Sequence, residues 1–188
     1  MDTVNEQIKL YAWNPSRSRE ETFAVDTPPP TVSGSLHVGH LFSYSHQDFI
    51  VRYQRMRGKN IFFPIGWDDN GLPTERRVQN VFNVRCEPHL HYDPSFSAVR
   101  GAKGDPKPVS RSNFISLCNE LTVEDEAAFR RLWTRLGMSY DWTLEYATID
   151  EHCRRTSQIS FLELLEKGEI YQAERPVMWD IDYRTAIA

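Results

Sequence analysis

Apolar and polar positions alternate most tellingly early in the chain. Phe23, Ala24 and Val25 form a short apolar run that meets Asp26, Thr27 and then Pro28, Pro29 and Pro30. Three prolines fix φ and remove three backbone donors, so a strand over 23–25 must stop there. Beyond it, Phe42, Phe49, Tyr53 and Met56 recur at spacings of seven, four and three, which predicts a helix with these side chains on one apolar stripe. Arg52, Arg55 and Arg57 crowd its last turn, where cations suit the helix dipole, and Gly58 closes it. Residues 60–65 (NIFFPI) then have the aromatic and branched content of a buried strand. A strand, helix, strand unit this short is expected to be parallel and right-handed.

Further along, residues 76–84 can be helical, and residues 87–108 are broken by Pro88, Pro94, Pro106 and Pro108 with Gly101 and Gly104, which predicts a long loop or insertion. Residues 110–121 place Phe114, Leu117, Cys118 and Leu121 on one helical face. Thr122, with Glu124, Asp125 and Glu126 in the turn after it, reads as the start of a second helix that runs to Arg135 and ends at Gly137. Trp133, Leu136 and Trp142 read as core. Asp150 caps a last helix to Lys167 that carries Ile159, Leu162 and Leu165, and residues 170–173 and 177–179 read as short strands. Residues 1–22, with Tyr11 and Trp13 in a polar setting, read as an arm on the sheet. The expected organisation is that arm followed by one α/β domain over 23–188.

Composition narrows the function. The chain has 188 residues, 22 basic against 26 acidic, and a net charge of −4. That length buries a substantial core, and that balance argues against the chain being, by itself, a broad nucleic-acid surface. The cluster Arg52, Arg55, Arg57 and Lys59 can touch a phosphate or simply be solvated. No apolar run approaches 18 residues and the polar N-terminus (MDTVNEQIKL) lacks a secretory core, so a soluble, cytoplasmic protein is expected. Cys86, Cys118 and Cys153 are far apart with no CxxC spacing and read as reduced and structural. His89 and His91 lie at alternate positions without further ligands, and no protein-held metal is expected.

The candidate chemistry follows from the strand, helix, strand unit. In such a sheet the ligand lies beyond the carboxyl ends of the strands, which puts residues 28–40 and 66–75 on one rim. In the first segment Gly34 permits a tight turn, and His37, Val38, Gly39 and His40 open the helix. Free N–H groups and the positive dipole end attract an anion there, and two imidazoles three apart can donate further hydrogen bonds, a description that suits a triphosphate. In the second, Asp68 offers a carboxylate to an ammonium group or is only a turn former, Gly66 and Gly71 permit close backbone approach, and Trp67 is core or pocket wall.

His37-Val38-Gly39-His40 after a proline-rich turn is similar to the His-Ile-Gly-His signature of the class I aminoacyl-tRNA synthetases. The segments PPPTVSGSLHVGH, RYQRMRGKN and GWDDNGLPTERRVQN resemble the amino-terminal part of that family's valine branch. The leucine and isoleucine branches share the layout but usually differ after Gly66-Trp67-Asp68, so Asp69-Asn70 and Thr74-Glu75-Arg76-Arg77 favour valine. The likeness continues through TVEDE, RLGMSYDW and YQAERPVMWDIDYRTAIA, and so covers essentially the whole chain. It implies the first half of a Rossmann-like, parallel-sheet nucleotide-binding catalytic domain with helical insertions, ending at the entrance to an editing insertion. It further implies activation of valine with ATP and Mg²⁺, then transfer to tRNA(Val), which is met mainly through parts absent from this chain. On the same basis His37 and His40 hydrogen-bond the ATP phosphates and serve catalysis, Gly39 leaves room for adenosine, Asp68 holds the amino group, and Pro29, Pro30 and Trp67 shape a small apolar pocket. The family's Lys-Met-Ser-Lys-Ser loop, second nucleotide-fold half, editing domain and anticodon-binding helices have no counterpart here, so these residues alone are expected to be inactive. Three other readings stay open: the leucine or isoleucine branch, a small HxGH adenylyltransferase of cofactor synthesis, and a scaffold that binds without catalysis.

Overall fold

The computed structural model describes residues 10–32 and 36–187. The first strand, β1 (Thr22–Ala24), pairs in parallel with β2 (Asn60–Phe62), with Phe23 opposite Ile61, and α1 (Val38–Met56) connects them. The prolines end β1 and Gly58 follows α1, as the pattern predicts.

The buried face of α1 is not the expected one. Phe42, Phe49, Tyr53 and Met56 are between 55% and 79% exposed, whereas Tyr44, Asp48 and Val51 are buried. Residues 44, 48 and 51 also keep helical spacing, but an aspartate in their midst hides the stripe from a hydrophobicity count. Asp48 is tolerated because it is fully paired: it accepts from Ser139 N (2.8 Å) and Oγ (2.5 Å) and from Arg52 Nε (2.6 Å). Arg52 also donates to the Gly137 carbonyl and Arg55 to that of Ser139 (3.3 Å), and both guanidinium groups lie over the Tyr11 ring. These two arginines therefore latch α1 to residues 137–139 rather than standing free in solvent.

Next, β3 (Gly66–Trp67) begins the segment expected to be a ligand loop, and α2 (Leu72–Phe82) already occupies its end, with Gly71 before the first turn and Pro73 within it. Pro carries no N–H and is preset for that turn. After α2, β4 (Val84–Cys86) and β5 (Lys107–Val109) pair in parallel across the irregular loop. Pro108, read as loop, lies within β5 opposite Arg85.

One helix, α3 (Arg111–Arg135), replaces the two expected over 110–135. Ser110 caps it, accepting from Asn113 N at 3.1 Å. Thr122 caps nothing, because its hydroxyl donates to the Asn119 carbonyl (3.1 Å), and Asp125 forms a two-pronged pair with Arg77 of α2 (2.5 and 2.7 Å). The acidic cluster that looks like a helix start is partly an ion pair between helices. Beyond α3, Trp133 and Trp142 are buried as expected, but Leu136 is exposed.

The strand β6 (Tyr146–Ala147) pairs in parallel with β3. Asp150 caps α4 (Glu151–Glu166), accepting from Cys153 N at 2.8 Å, and Ile159, Leu162 and Leu165 face outward. Residues 170–173 form no strand. The last pairing is antiparallel, between β7 (Trp179–Asp180) and β8 (Thr185–Ala186), two residues later than the pattern suggests.

The chain divides into two compact units, Met1–Asp68 with Glu126–Thr148, and Asp69–Asp125 with Ile149–Ala188. The first is built on a buried cluster that includes Val51, Ile61, Phe63, Trp67, Phe129, Trp133 and Tyr140. Trp13 of the arm packs edge-on against Phe62, and its backbone N–H donates to the Asp141 carboxylate (2.8 Å). The second unit has a cluster of Val78, Phe82, Val84, Val109, Phe114, Leu117 and Leu121. The three cysteines are free thiols, and burial pushes Cys118 up to about 12, well away from thiolate chemistry. Among the described residues no helix is long and apolar enough to cross a membrane.

Candidate active site

Everything in this site belongs to the first unit. At the opening of α1, His37 occupies the capping position in extended backbone (φ −120°, ψ 167°). Its Nδ1 accepts from Gly39 N (3.1 Å), while the Nδ1 of His40 accepts from His37 N (3.4 Å). Two imidazoles thus form the reciprocal cap that Ser and Glu usually provide. The rings stack, centroids 3.9 Å apart and 30° between planes. Accepting through Nδ1 requires its lone pair, so each neutral ring carries its proton on Nε2. Both imidazoles are thereby set as Nε2–H donors at a helix N-terminus, where an anion is already favoured.

His37 and Gly39 are exposed and His40 is half-buried, its ring edge-on to Phe129 (5.9 Å). Burial first, and the neighbouring His37 second, hold His40 below the usual imidazole range. Gly39 is needed close at hand, since a Cβ there would lie 3.0 Å from the His37 ring atoms Cε1 and Nδ1. In the structure the space it leaves is taken by the capping imidazole. The tight turn expected at Gly34 falls outside the described residues.

Asp68 follows β3. Its N–H donates to the Pro30 carbonyl (2.9 Å) and its carbonyl accepts from Val32 N (3.0 Å), so the proline-rich segment after β1 lies alongside it. The carboxylate accepts from the hydroxyls of Thr31 (3.1 Å) and Thr148 (3.4 Å) and remains partly exposed. Pro29 is half-buried and Pro30 buried. Tyr44 donates to the Pro28 carbonyl (2.8 Å), and burial, helped by Tyr146 and Asp68, pushes its phenol up to about 12, leaving it a neutral donor. The two rim segments that were expected to meet do so at Pro30, Thr31 and Asp68.

Two residues of the second rim segment, Gly66 and Trp67, serve packing. Trp67 is 2% exposed, with its ring against Phe129 (6.3 Å) and its indole N–H on Glu145 Oε1 (2.9 Å), so it backs the site from the core. Gly66 permits a close approach, and the group that approaches is the Tyr146 ring of the paired strand, 2.3 to 2.7 Å from where a Cβ would lie. Residues missed by the sequence include Phe129, whose ring contacts both His40 and Trp67, and Glu145, which joins Trp67 to Arg130 (2.5 Å). Phe129 lies four residues before Trp133, so its place on a core face was visible. Its contact with His40 was not, because it depends on where α3 packs.

Parallel strand pairs with a helix N-terminus beyond the carboxyl end of β1 are the architecture of a nucleotide-binding half-domain, Rossmann-like in layout. The chain belongs to the class I tRNA synthetases (I, L, M and V), whose family model matches residues 5–188. More particularly, it is 58% identical over 188 residues to the valine-tRNA ligase of Thermobifida fusca (strain YX), covering 98% of this chain and 21% of that protein. The valine-tRNA ligase of Salinispora arenicola (strain CNS-205) is 56% identical over 185 residues, covering 98% and 22%. The chain therefore spans about a fifth of the length of these curated relatives. Among solved structures, the ternary complex of Agrobacterium radiobacter K84 agnB2 LeuRS with tRNA and LeuAMS matches 99% of this chain and 19% of its own, with a TM-score of 0.68 and 27% identity.

Proposed function

We propose that these residues are the part of a valine-tRNA ligase that binds ATP and valine and joins them as valyl-adenylate. The observation that carries this reading is the stacked pair His37 and His40, whose Nδ1 atoms cap the backbone and so leave two Nε2–H donors at the positive end of a helix dipole. The valine carboxylate attacks the α-phosphorus and the bond to pyrophosphate breaks, so the protein needs no nucleophile. Its work is positioning and charge stabilisation. The two imidazoles meet phosphate oxygens as negative charge moves onto them, Gly39 gives the capping His37 ring the room it needs, Asp68 holds the amino group, and Pro29 and Pro30 border the side chain. Mg²⁺ would accompany the ATP as an ion carried on its phosphates.

Transfer to tRNA(Val) would complete the reaction. With a net charge of −4 these residues offer tRNA little general attraction, and its contacts are assigned to the further length of the relatives. A cytoplasmic location accords with such a role.

The test is valine-dependent exchange of pyrophosphate into ATP by a chain of the relatives' length that contains these residues, with leucine and isoleucine as competitors. Valine should be preferred; preference for either competitor would move the chain to that branch. Exchange that needs no amino acid would favour a small adenylyltransferase, and no ATP binding at all would favour a scaffold. His40→Ala should slow adenylate formation by roughly 10²-fold, as expected for a lost charge-stabilising donor. An unchanged rate would remove His40 from the site.

A further inference from the structure

Thr31, Asp68 and Thr148 stand in one row across three neighbouring strand segments. Thr31 is bridged in parallel to Asp68, and the β3–β6 register places Trp67 opposite Ala147, so the next positions, Asp68 and Thr148, are opposite as well. Backbone hydrogen bonds fix the row on both sides: Asp68 N to Pro30 O (2.9 Å) and Val32 N to Asp68 O (3.0 Å) on one, Thr148 N to Trp67 O (2.9 Å) on the other. Residues opposite one another on adjacent strands project to the same face of a sheet. Here both flanking hydroxyls reach the central carboxylate, Thr31 Oγ1 to Oδ2 at 3.1 Å and Thr148 Oγ1 to Oδ1 at 3.4 Å.

We propose that Thr31 and Thr148 are positioning residues which clamp Asp68, one on each carboxylate oxygen, so that it meets the substrate amino group in a single orientation. The inference deepens the assignment of Asp68 as the ammonium partner and rests on it. An ionised carboxylate only accepts, so both hydroxyls must donate to it. With each oxygen engaged from the side, rotation about the bond to the carboxylate is arrested. A lone pair on each oxygen remains for the incoming ammonium donors. Neither threonine needs to touch the substrate, and the orienting cost is met by folding rather than at binding.

Thr31→Val and Thr148→Val keep shape and remove only the hydroxyl. In pyrophosphate exchange by a chain of the relatives' length, each should raise KM for valine roughly tenfold, the scale of one hydrogen bond to a charged group, with KM for ATP unchanged. Thr31→Ser and Thr148→Ser should restore the parent value. Asp68→Asn is the control that separates the two assignments. If it raises KM for valine while both valine variants do not, the clamp is overturned and Asp68 stands. If Asp68→Asn leaves KM for valine unchanged, the ammonium assignment falls and the clamp with it. Equal rises in the KM for valine and for ATP would mark the threonines as merely structural and also overturn the proposal.

Discussion

An imidazole that caps a helix through Nδ1 keeps its Nε2–H available to an anion with the same proton arrangement. His37 and His40 hold their Nδ1 lone pairs against backbone N–H groups, which leaves Nε2–H for a ligand. Protonating Nδ1 would cancel the cap. Burial and the adjacent His37 lower the pKa of His40, so in the acid range the unfolded chain binds this proton more readily than the folded one. The stability that follows is intact above about pH 6.5 and is lost as pH falls through the lowered folded value. An NMR titration of the His40 ring should give a midpoint below that of an ordinary histidine; a midpoint at or above it would contradict the burial argument. Gly66 makes a second prediction at this scale. An alanine Cβ would meet the Tyr146 ring at 2.3 Å, so Gly66→Ala should cost about 1–3 kcal/mol in urea unfolding, as overpacking does. Adding Tyr146→Ala should recover part of that loss.

Among the elements, α1 shows what a hydrophobic pattern reports and what it omits. Its limits, its connection from β1 to β2 and the residue that closes it were legible, because prolines, glycines and spacing act locally. Its orientation was not. Asp48 faces inward because Arg52, one turn on, and Ser139 satisfy it, and the second of these lies 91 residues away in sequence. Phe49→Ser should therefore change stability by less than about 0.5 kcal/mol in this chain, since the ring is exposed. Val51→Ala on the buried face should cost about 2 kcal/mol for two lost methyl groups and the cavity they leave. Chemical denaturation of both variants tests the assignment of faces. In α3 the failure was of another kind: Thr122 with acidic residues after it matches a helix start by composition, yet Asp125 answers to Arg77. A charge pattern cannot say whether its partner is a dipole or a distant guanidinium.

For the molecule as a whole, exposed apolar area is the feature with consequences. The outer stripe of α1, together with Ile159, Leu162, Tyr171, Met178 and Ile181, is exposed among the described residues. On α1 these side chains share one helix face, and a continuous apolar face of that kind marks a surface of interaction. These 188 residues, studied alone, should bind an apolar dye and associate at micromolar concentration, whereas a chain of the relatives' length should do so less. Light scattering and dye fluorescence compare the two. The short chain should likewise show no valine-dependent exchange above background, while still retaining the β1–α1–β2 unit.

By itself the sequence determined the local grammar: where β1 must stop, that a helix opens with two histidines, that a strand begins at Asn60 soon after it, and which family carries those segments. Each is a matter of dihedral preference, spacing or residue identity within a few positions, and so survives without knowledge of the fold. Only the tertiary structure decided which face of α1 is buried, that Trp67 is core, that Phe129 backs His40, and that Thr31 and Thr148 flank Asp68. These are partnerships between residues from 37 to 91 positions apart, such as Thr31 with Asp68 and Asp48 with Ser139. Strand register and helix packing set them, and no local pattern encodes either.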